Sequence, residues 1–342
     1  MSNEKGNANA SLRSAAKAKN DEFYTQLSDI ENELYHYRKH FEGKTILCNC
    51  DDPFESNFFK YFALNFEFLK LKKLIAVAYA DSPIVKARTC NGHGYVAEMS
   101  FARDVNGDTA FDWADIMEML HNGDIKITDL QGKGDFRDKE CLDLLDEADV
   151  VVTNPPFSLF REYVATLVEH KKKFLIIGNK NAVTYKEIFS LMMNNELWLG
   201  YFVPKDFIVP DGHLSSKLGG LTRWFTNLDI SKRHEELILF KRYREDPSFY
   251  PKYDNYDAIN VDKVKYIPED YDGIMGVPLT FMDKYNASQF EMLGIMNTGE
   301  ENKGIRYPNT PHGRPVINGK EKYIRILIRN LHPLNNTQKG NN

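Results

Sequence analysis

The residues of this 342-residue sequence that point most directly to chemistry are Asn154-Pro155-Pro156-Phe157. Two consecutive prolines supply no backbone N–H and bias Asn154 and Pro155 away from helix, so the chain is held extended with its carbonyls open to accept. The Asn154 side-chain oxygen and the Pro155 carbonyl can then each accept one hydrogen of an amino group. Such a corner suits methylation of an amino group whose lone pair is delocalised into a ring. Two acceptors favour a pyramidal nitrogen whose lone pair points at the methyl, and neutral acceptors stabilise the positive charge that arrives with it, without a metal. Phe157 supplies a face for the ring, a stack worth about 1–3 kcal/mol to a base taken out of a duplex. The tetrapeptide follows directly on Val150-Val151-Val152-Thr153, a buried-strand sequence, and so falls at the edge where open α/β sheets bind ligands. The plain alternative is a proline turn that ends a strand, with Phe157 in the core.

Three further groups carry carboxylates at comparable places. Asp51-Asp52-Pro53-Phe54-Glu55-Ser56 follows the first apolar run, where Asp51 or Asp52 either takes hydroxyl and amino donors of a nucleoside-like cofactor or caps the next helix. In Gly134-Asp135-Phe136-Arg137-Asp138, Asp135 either accepts from a purine amino group with Phe136 on the ring, or belongs to a loop with a helix cap. Asp81 falls just past the second strand, where a ribose-binding acid belongs, although a loop aspartate there is also simply solvated. Cys48-Asn49-Cys50 and Cys90-x-x-His93 raise a zinc reading, but Cys48 and Cys50 sit in a strand-like run where cysteine behaves as a small hydrophobe, so no metal is expected.

The elements that must hold these groups alternate short apolar runs with amphipathic segments of helical length. Strands are expected at Thr45–Cys50, Leu74–Ala80, Asp149–Thr153 and Phe174–Gly178, with a weaker one at Ile125–Thr128. Helices are expected at Asn57–Leu69, Phe111–His121, Lys139–Asp146 and Leu159–Glu169. This rhythm predicts an α/β fold, a doubly wound and mostly parallel sheet. Val85–Thr89 and Tyr95–Met99 flank Asn91-Gly92-His93-Gly94 and read as an inserted hairpin. Beyond about Thr184 the sequence turns to Pro-, Gly- and Tyr-rich stretches with β-like runs at Glu236–Arg242 and Lys322–Arg329. The organisation expected is a ragged N-terminus over residues 1–18, a catalytic domain over 19–184, and from 185 to 342 the rest of the catalytic sheet with a second region.

Composition excludes a membrane-spanning protein: 42% of residues are hydrophobic, 27% are charged, and no apolar run reaches the roughly 18 residues that cross a bilayer. The N-terminus has no apolar stretch, so a cytoplasmic protein is expected. Net charge is −5, with the acidic excess in the N-terminal part and a slightly basic remainder. In that remainder Lys232, Arg233, Lys241, Arg242 and Arg244 cluster among tyrosines, a pattern of either solvated charges or a phosphate-contacting surface.

The order Phe23-Tyr24-Thr25, Asp52-Pro53-Phe54, Gly134-Asp135-Phe136 and Asn154-Pro155-Pro156-Phe157 resembles the EcoRI-type adenine-specific DNA methyltransferases of restriction–modification systems. The likeness continues through Phe174–Ala182, Arg223–Leu228, Tyr250–Asn260 and Gly276–Tyr285 and covers roughly Lys19 to Tyr285. It implies a class I methyltransferase fold, S-adenosyl-L-methionine as cofactor and a C-terminal target-recognition region. It also implies double-stranded DNA as partner, with the base flipped out, a possible companion endonuclease, and a monomer rather than a dimer. By carry-over, Phe23, Tyr24 and Thr25 close over the cofactor, Asp51, Asp52, Pro53, Phe54 and Glu55 hold its amino-acid end, Asp81 its ribose and Asp135 with Phe136 its adenine. One departure stands out, since the turn from Asp51 to Ser56 contains no glycine where methyltransferases usually carry a glycine-rich one. The rival readings are a methyltransferase acting on RNA or on protein glutamine, and a DNA-binding regulator that keeps the fold without turnover.

Overall fold

The computed structural model describes residues 24–82, 85, 92–205, 207–208, 214–215, 220–296 and 313–334. The expected ragged N-terminus and Phe23 lie outside the described residues. By compactness the chain divides into two units, one of residues 1–180 with 200–228, the other of 181–199 with 229–342.

In the first unit seven strands lie side by side: β1 (Thr45–Cys48), β2 (Lys73–Ala78), β3 (Tyr95–Met99), β4 (Lys126–Asp129), β5 (Val150–Thr153), β6 (Lys173–Asn179) and β7 (Thr222–Thr226). Their order is β4-β3-β2-β1-β5-β6-β7. β1 is parallel to both β2 and β5, and β5 to β6, whereas β3, β4 and β7 pair antiparallel at the two sides. The parallel centre follows from the sequence, because Thr45–Cys48 and Val150–Thr153 are buried along their whole length. Helices α1 (Leu27–Leu34), α2 (Asn57–Leu64), α3 (Trp113–Asn122), α4 (Lys139–Glu147) and α5 (Phe160–Glu169) accompany the sheet. From β1 the chain builds toward one side through β2 and later toward the other through β5 and β6. The strand order therefore reverses between β1 and β5, and a crevice opens at their carboxyl ends. This is the doubly wound α/β arrangement of the class I methyltransferase type.

The inserted hairpin needs correction. Tyr95–Met99 is hydrogen-bonded to β2 on one side and β4 on the other, so both its edges belong to the main sheet. Val85–Thr89, its expected partner, lies outside the described residues except for Val85. Gly94 permits the close entry to this strand, because a Cβ there would lie 2.7 Å from the Ala78 carbonyl oxygen.

The second unit contains α6 (Lys186–Met193) and a four-stranded sheet of β8 (Ile259–Asn260), β9 (Ile274–Pro278), β10 (Phe290–Met296) and β11 (Arg325–Asn330), in the order β8-β9-β11-β10. Met275, Val277, Phe290, Ile326 and Ile328 are buried in it. The expected strand at Glu236–Arg242 is not one. Its backbone makes a single bridge, Lys241 to Pro268, and Leu237 is held instead by both ends of the Gln289 amide. The alternation that read as β-like leaves Ile238 85% and Phe240 60% exposed.

Candidate active site

β5 delivers Asn154 to the carboxyl edge of the sheet next to β1. Asn154 and Phe157 are half-buried and Pro155 is buried, so Phe157 is not a core residue. Phe157–Leu159 forms a 3-10 turn, closed by the Leu159 N–H donating to the Pro156 carbonyl at 3.0 Å, which leads into α5. Phe160 then packs over Gly178 of β6, where any Cβ would run into its ring. The tetrapeptide is thus pinned between a buried strand and a seated helix.

Across the crevice stands Asp51. It is buried and accepts from the Ser56 hydroxyl at 2.6 Å and from the Thr153 hydroxyl at 2.5 Å, so the residue before Asn154 ties the ends of β1 and β5 together. Burial pushes its carboxyl up to about 6, against the pull of those two hydroxyls. Asp52 takes the place of the missing glycines in fixing the turn. Its carboxylate accepts from the Phe54 N–H at 2.8 Å and from the Tyr95 hydroxyl at 2.6 Å, and the Phe54 ring meets Tyr95 edge to face. Neither aspartate caps α2, because Ser56 accepts from the N–H groups of Phe58 and Phe59.

Thr25 is joined to this turn through its carbonyl, which accepts from the Asn57 side chain at 2.8 Å. Its backbone pairs with Phe207 in a small three-stranded sheet of Tyr24–Thr25, Phe207–Ile208 and Leu214–Ser215. Among the described residues Thr25 Oγ1 and Gln26 Nε2 are buried polar atoms with no hydrogen-bond partner, which fits a site built to hold a polar molecule.

Asp81 lies beyond β2 and accepts from Lys133 at 2.7 Å and from the Tyr79 hydroxyl at 3.1 Å. The Ala80 N–H donates to the Lys133 carbonyl, drawing the loop that carries Gly134 and Asp135 against the end of β2. Gly134 makes this possible with φ +80, and a Cβ there would lie 2.8 Å from the Ala78 carbonyl oxygen. Asp135 is gripped by its neighbour Arg137, whose Nε and Nη2 donate at 2.8 and 2.7 Å and hold the carboxyl below the usual carboxylate range. Phe136 is buried edge to face against Tyr163 of α5, their centroids 5.0 Å apart.

The carboxylates at the ends of β1 and β2 and in the loop after β4 lie with the Asn154 corner at the carboxyl edge of the sheet. Sequence reasoning missed their supports: Thr153, Ser56, Tyr95, Lys133 and Arg137. Two of these had a signal, since Thr153 adjoins the tetrapeptide and Arg137 sits two residues from Asp135. Tyr95 had none, because its place depends on a strand pairing across the sheet.

The sequence profile of a family described as adenine-specific methyltransferase EcoRI matches residues 11–331. The chain belongs to this family. It is 45% identical to the type II methyltransferase M.EcoRI of Escherichia coli, over 94% of this chain and 97% of that protein. It is 38% identical to M.MpnI of Mycoplasma pneumoniae, over 92% of this chain and 96% of the relative. It is 36% identical to M.MgeORF184P of Mycoplasma genitalium, over 92% and 97%. No solved structure matches. Like its family, the chain is an adenine-specific DNA methyltransferase.

Among the described residues of the second unit, Arg233 lies 3.5 Å over the Trp198 ring and donates to Asn195 and Asp229. Arg242 is paired with Glu269 at 2.7 Å, and Arg244 approaches Asp270 at 3.9 Å. Lys232 lies beside Arg233 in a 3-10 turn, and Lys241 faces aromatic rings. No group of three or more His, Cys, Asp or Glu side chains among the described residues is placed to hold a metal. No described helix is long and apolar enough to cross a membrane.

Proposed function

We propose that this chain transfers a methyl group from S-adenosylmethionine to the N6 amino group of an adenine flipped out of double-stranded DNA, at one recognition sequence. The observation that carries the reading is the Thr153–Asp51 hydrogen bond, which sets Asn154-Pro155-Pro156-Phe157 and a buried carboxylate on the two lips of one crevice. The cofactor supplies a methyl group on a cationic sulfur. Asp51, with Asp52 to Glu55 shaping its turn, faces the ammonium of the amino-acid end. Thr25 supplies a buried hydroxyl beside it. Asp81 takes the ribose hydroxyls, and Asp135 with Phe136 the adenine. The Asn154 side-chain oxygen and the Pro155 carbonyl accept the two amino hydrogens, which turns the nitrogen lone pair toward the incoming methyl. Phe157 offers its half-exposed ring to the extrahelical base. Lys232, Arg233, Lys241, Arg242 and Arg244 belong to the DNA-facing surface of the second unit, which acts as the target-recognition region. The protein works in the cytoplasm as a monomer, as the modification partner of an endonuclease.

Purified protein incubated with labelled S-adenosylmethionine and duplex DNA is expected to place the label in N6-methyladenine. Asn154→Ala is expected to bind S-adenosylhomocysteine as the parent does while its single-turnover rate falls by about 10²–10³. Label in RNA or protein but not in DNA would overturn the substrate, and an Asn154→Ala protein turning over at the parental rate would overturn the mechanism.

A further inference from the structure

Phe249, Tyr250 and Tyr266 form a fixed aromatic platform on the second unit. Tyr250 is buried and its hydroxyl donates to the Tyr266 carbonyl at 2.9 Å, while Phe249 meets Tyr266 edge to face at 5.3 Å and stays 45% exposed. Three ammonium groups gather on this platform. Lys241, Lys263 and Lys265 place Nζ 5.9, 5.7 and 5.3 Å from the Tyr266 centroid, and Lys241 also lies 5.7 Å from that of Phe249. No two of them can be more than about 12 Å apart, close to the Debye length of about 10 Å at moderate salt, so they repel one another in solution.

The carboxylates nearby are already engaged. Glu269 pairs with Arg242, Asp270 accepts from the Tyr243 N–H with Arg244 beside it, and Asp262 accepts from Asn260 and lies 3.8 Å from Arg325. Among the described residues no carboxylate oxygen comes within 4.0 Å of the three ammoniums. Among the described residues the arginines of this region are thus paired with carboxylates and the three lysines are not. A cluster of like charges, steered by rings that reduce the freedom of the long side chains, is favourable when an external polyanion meets it. Lysine ammoniums act as compact point charges without the planar fork of arginine, a form that suits phosphate oxygens.

The geometry points to Lys241, Lys263 and Lys265 as the seat of the DNA phosphate backbone on the second unit, an assignment that rests on the DNA reading above. Each lysine neutralising one phosphate releases condensed counterion, so each contributes about 0.9 to the slope of log K against log salt. Lys241→Gln, Lys263→Gln and Lys265→Gln combined are expected to flatten that slope by about 2.7. Because the contact carries no base code, the loss should be equal on short duplexes built only of A·T pairs and only of G·C pairs. The matching lysine-to-arginine triple should keep the parental slope, and Lys320→Gln with Lys322→Gln, also on the second unit, should leave it unchanged. Fluorescence anisotropy across a salt titration reads all of these. A parental slope in the glutamine triple overturns the assignment. So does a loss confined to one of the two duplexes, or the same loss per charge from Lys320 and Lys322. A parent protein that binds neither duplex defeats the DNA reading itself, which is a separate result.

Discussion

Asp51 holds its proton more firmly than a surface carboxyl because burial disfavours the ionised form, and the resulting value of about 6 has two measurable effects. Its folded pKa lies above its unfolded one, so between about pH 4 and 6 the folded state binds a proton that the unfolded state has released. Stability is then lost as pH rises through that window. Asp51→Asn removes this loss while keeping groups that the Ser56 and Thr153 hydroxyls can turn to meet. The variant should gain on the parent between pH 4.5 and pH 7 by about 2 kcal/mol, read as denaturation midpoints. Equal midpoint differences at the two pH values would mean that Asp51 does not titrate there. The second effect is opposite in sign. Only ionised Asp51 attracts an ammonium, so S-adenosylhomocysteine affinity should fall about tenfold per unit below pH 6 in the parent and stay flat in Asp51→Asn. At this scale the sequence was legible in position, since Asn154-Pro155-Pro156-Phe157 does follow a buried strand at the carboxyl edge of the sheet. It was illegible where a role depends on a neighbour brought by folding. Asp51 and Asp52 look alike in the chain, yet one is buried under two hydroxyls and the other organises a turn against Tyr95.

Between residues and the whole lie the elements, and here Gly178 sets the position of α5. The Phe160 ring occupies the space that a side chain at 178 would need, and Phe160 is itself buried against Phe225 at 5.0 Å. Gly178→Ala is therefore expected to destabilise by about 1–3 kcal/mol in urea titrations. It should also slow methyl transfer, because α5 follows the 3-10 turn that carries Phe157. Adding Phe160→Leu should recover part of both losses, and a Gly178→Ala protein with parental midpoint and rate would show that the helix is not seated this way. The strands of the parallel centre were readable because both faces are buried, which leaves an unbroken apolar signature. Glu236–Arg242 misled because alternation marks a strand only if a neighbour pairs with it, and pairing partners are not written in a local window. Tyr95–Met99 was correctly read as extended and wrongly partnered, for the same reason.

At the scale of the whole chain, sequence order and spatial membership part company. The first unit takes residues 200–228 after the chain has left it for residues 181–199, and β7 from that return pairs with β6 from Leu175 to Asn179. A fragment ending at residue 185 would expose the edge of Phe174-Leu175-Ile176-Ile177, all buried in the intact protein, as an unpaired apolar strand. Such a fragment is expected to aggregate without a cooperative melting transition, whereas one ending at residue 228 should melt cooperatively. A soluble, cooperatively melting 185-residue fragment would show that β7 is dispensable. The sequence led us to expect the rest of the catalytic sheet beyond residue 185 but not which run returns, because Thr222–Thr226 looks like any short strand until its partner is known. The small sheet of Tyr24–Thr25 with Phe207–Ile208 has a counterpart in time. A ribosome makes the Asp51 turn and the Asn154 corner long before Phe207, so a nascent chain carries every group placed at the crevice but lacks the strand that fixes Thr25. Retention of the cofactor should thus begin only when the chain past residue 208 has emerged, and shorter nascent chains stay unloaded.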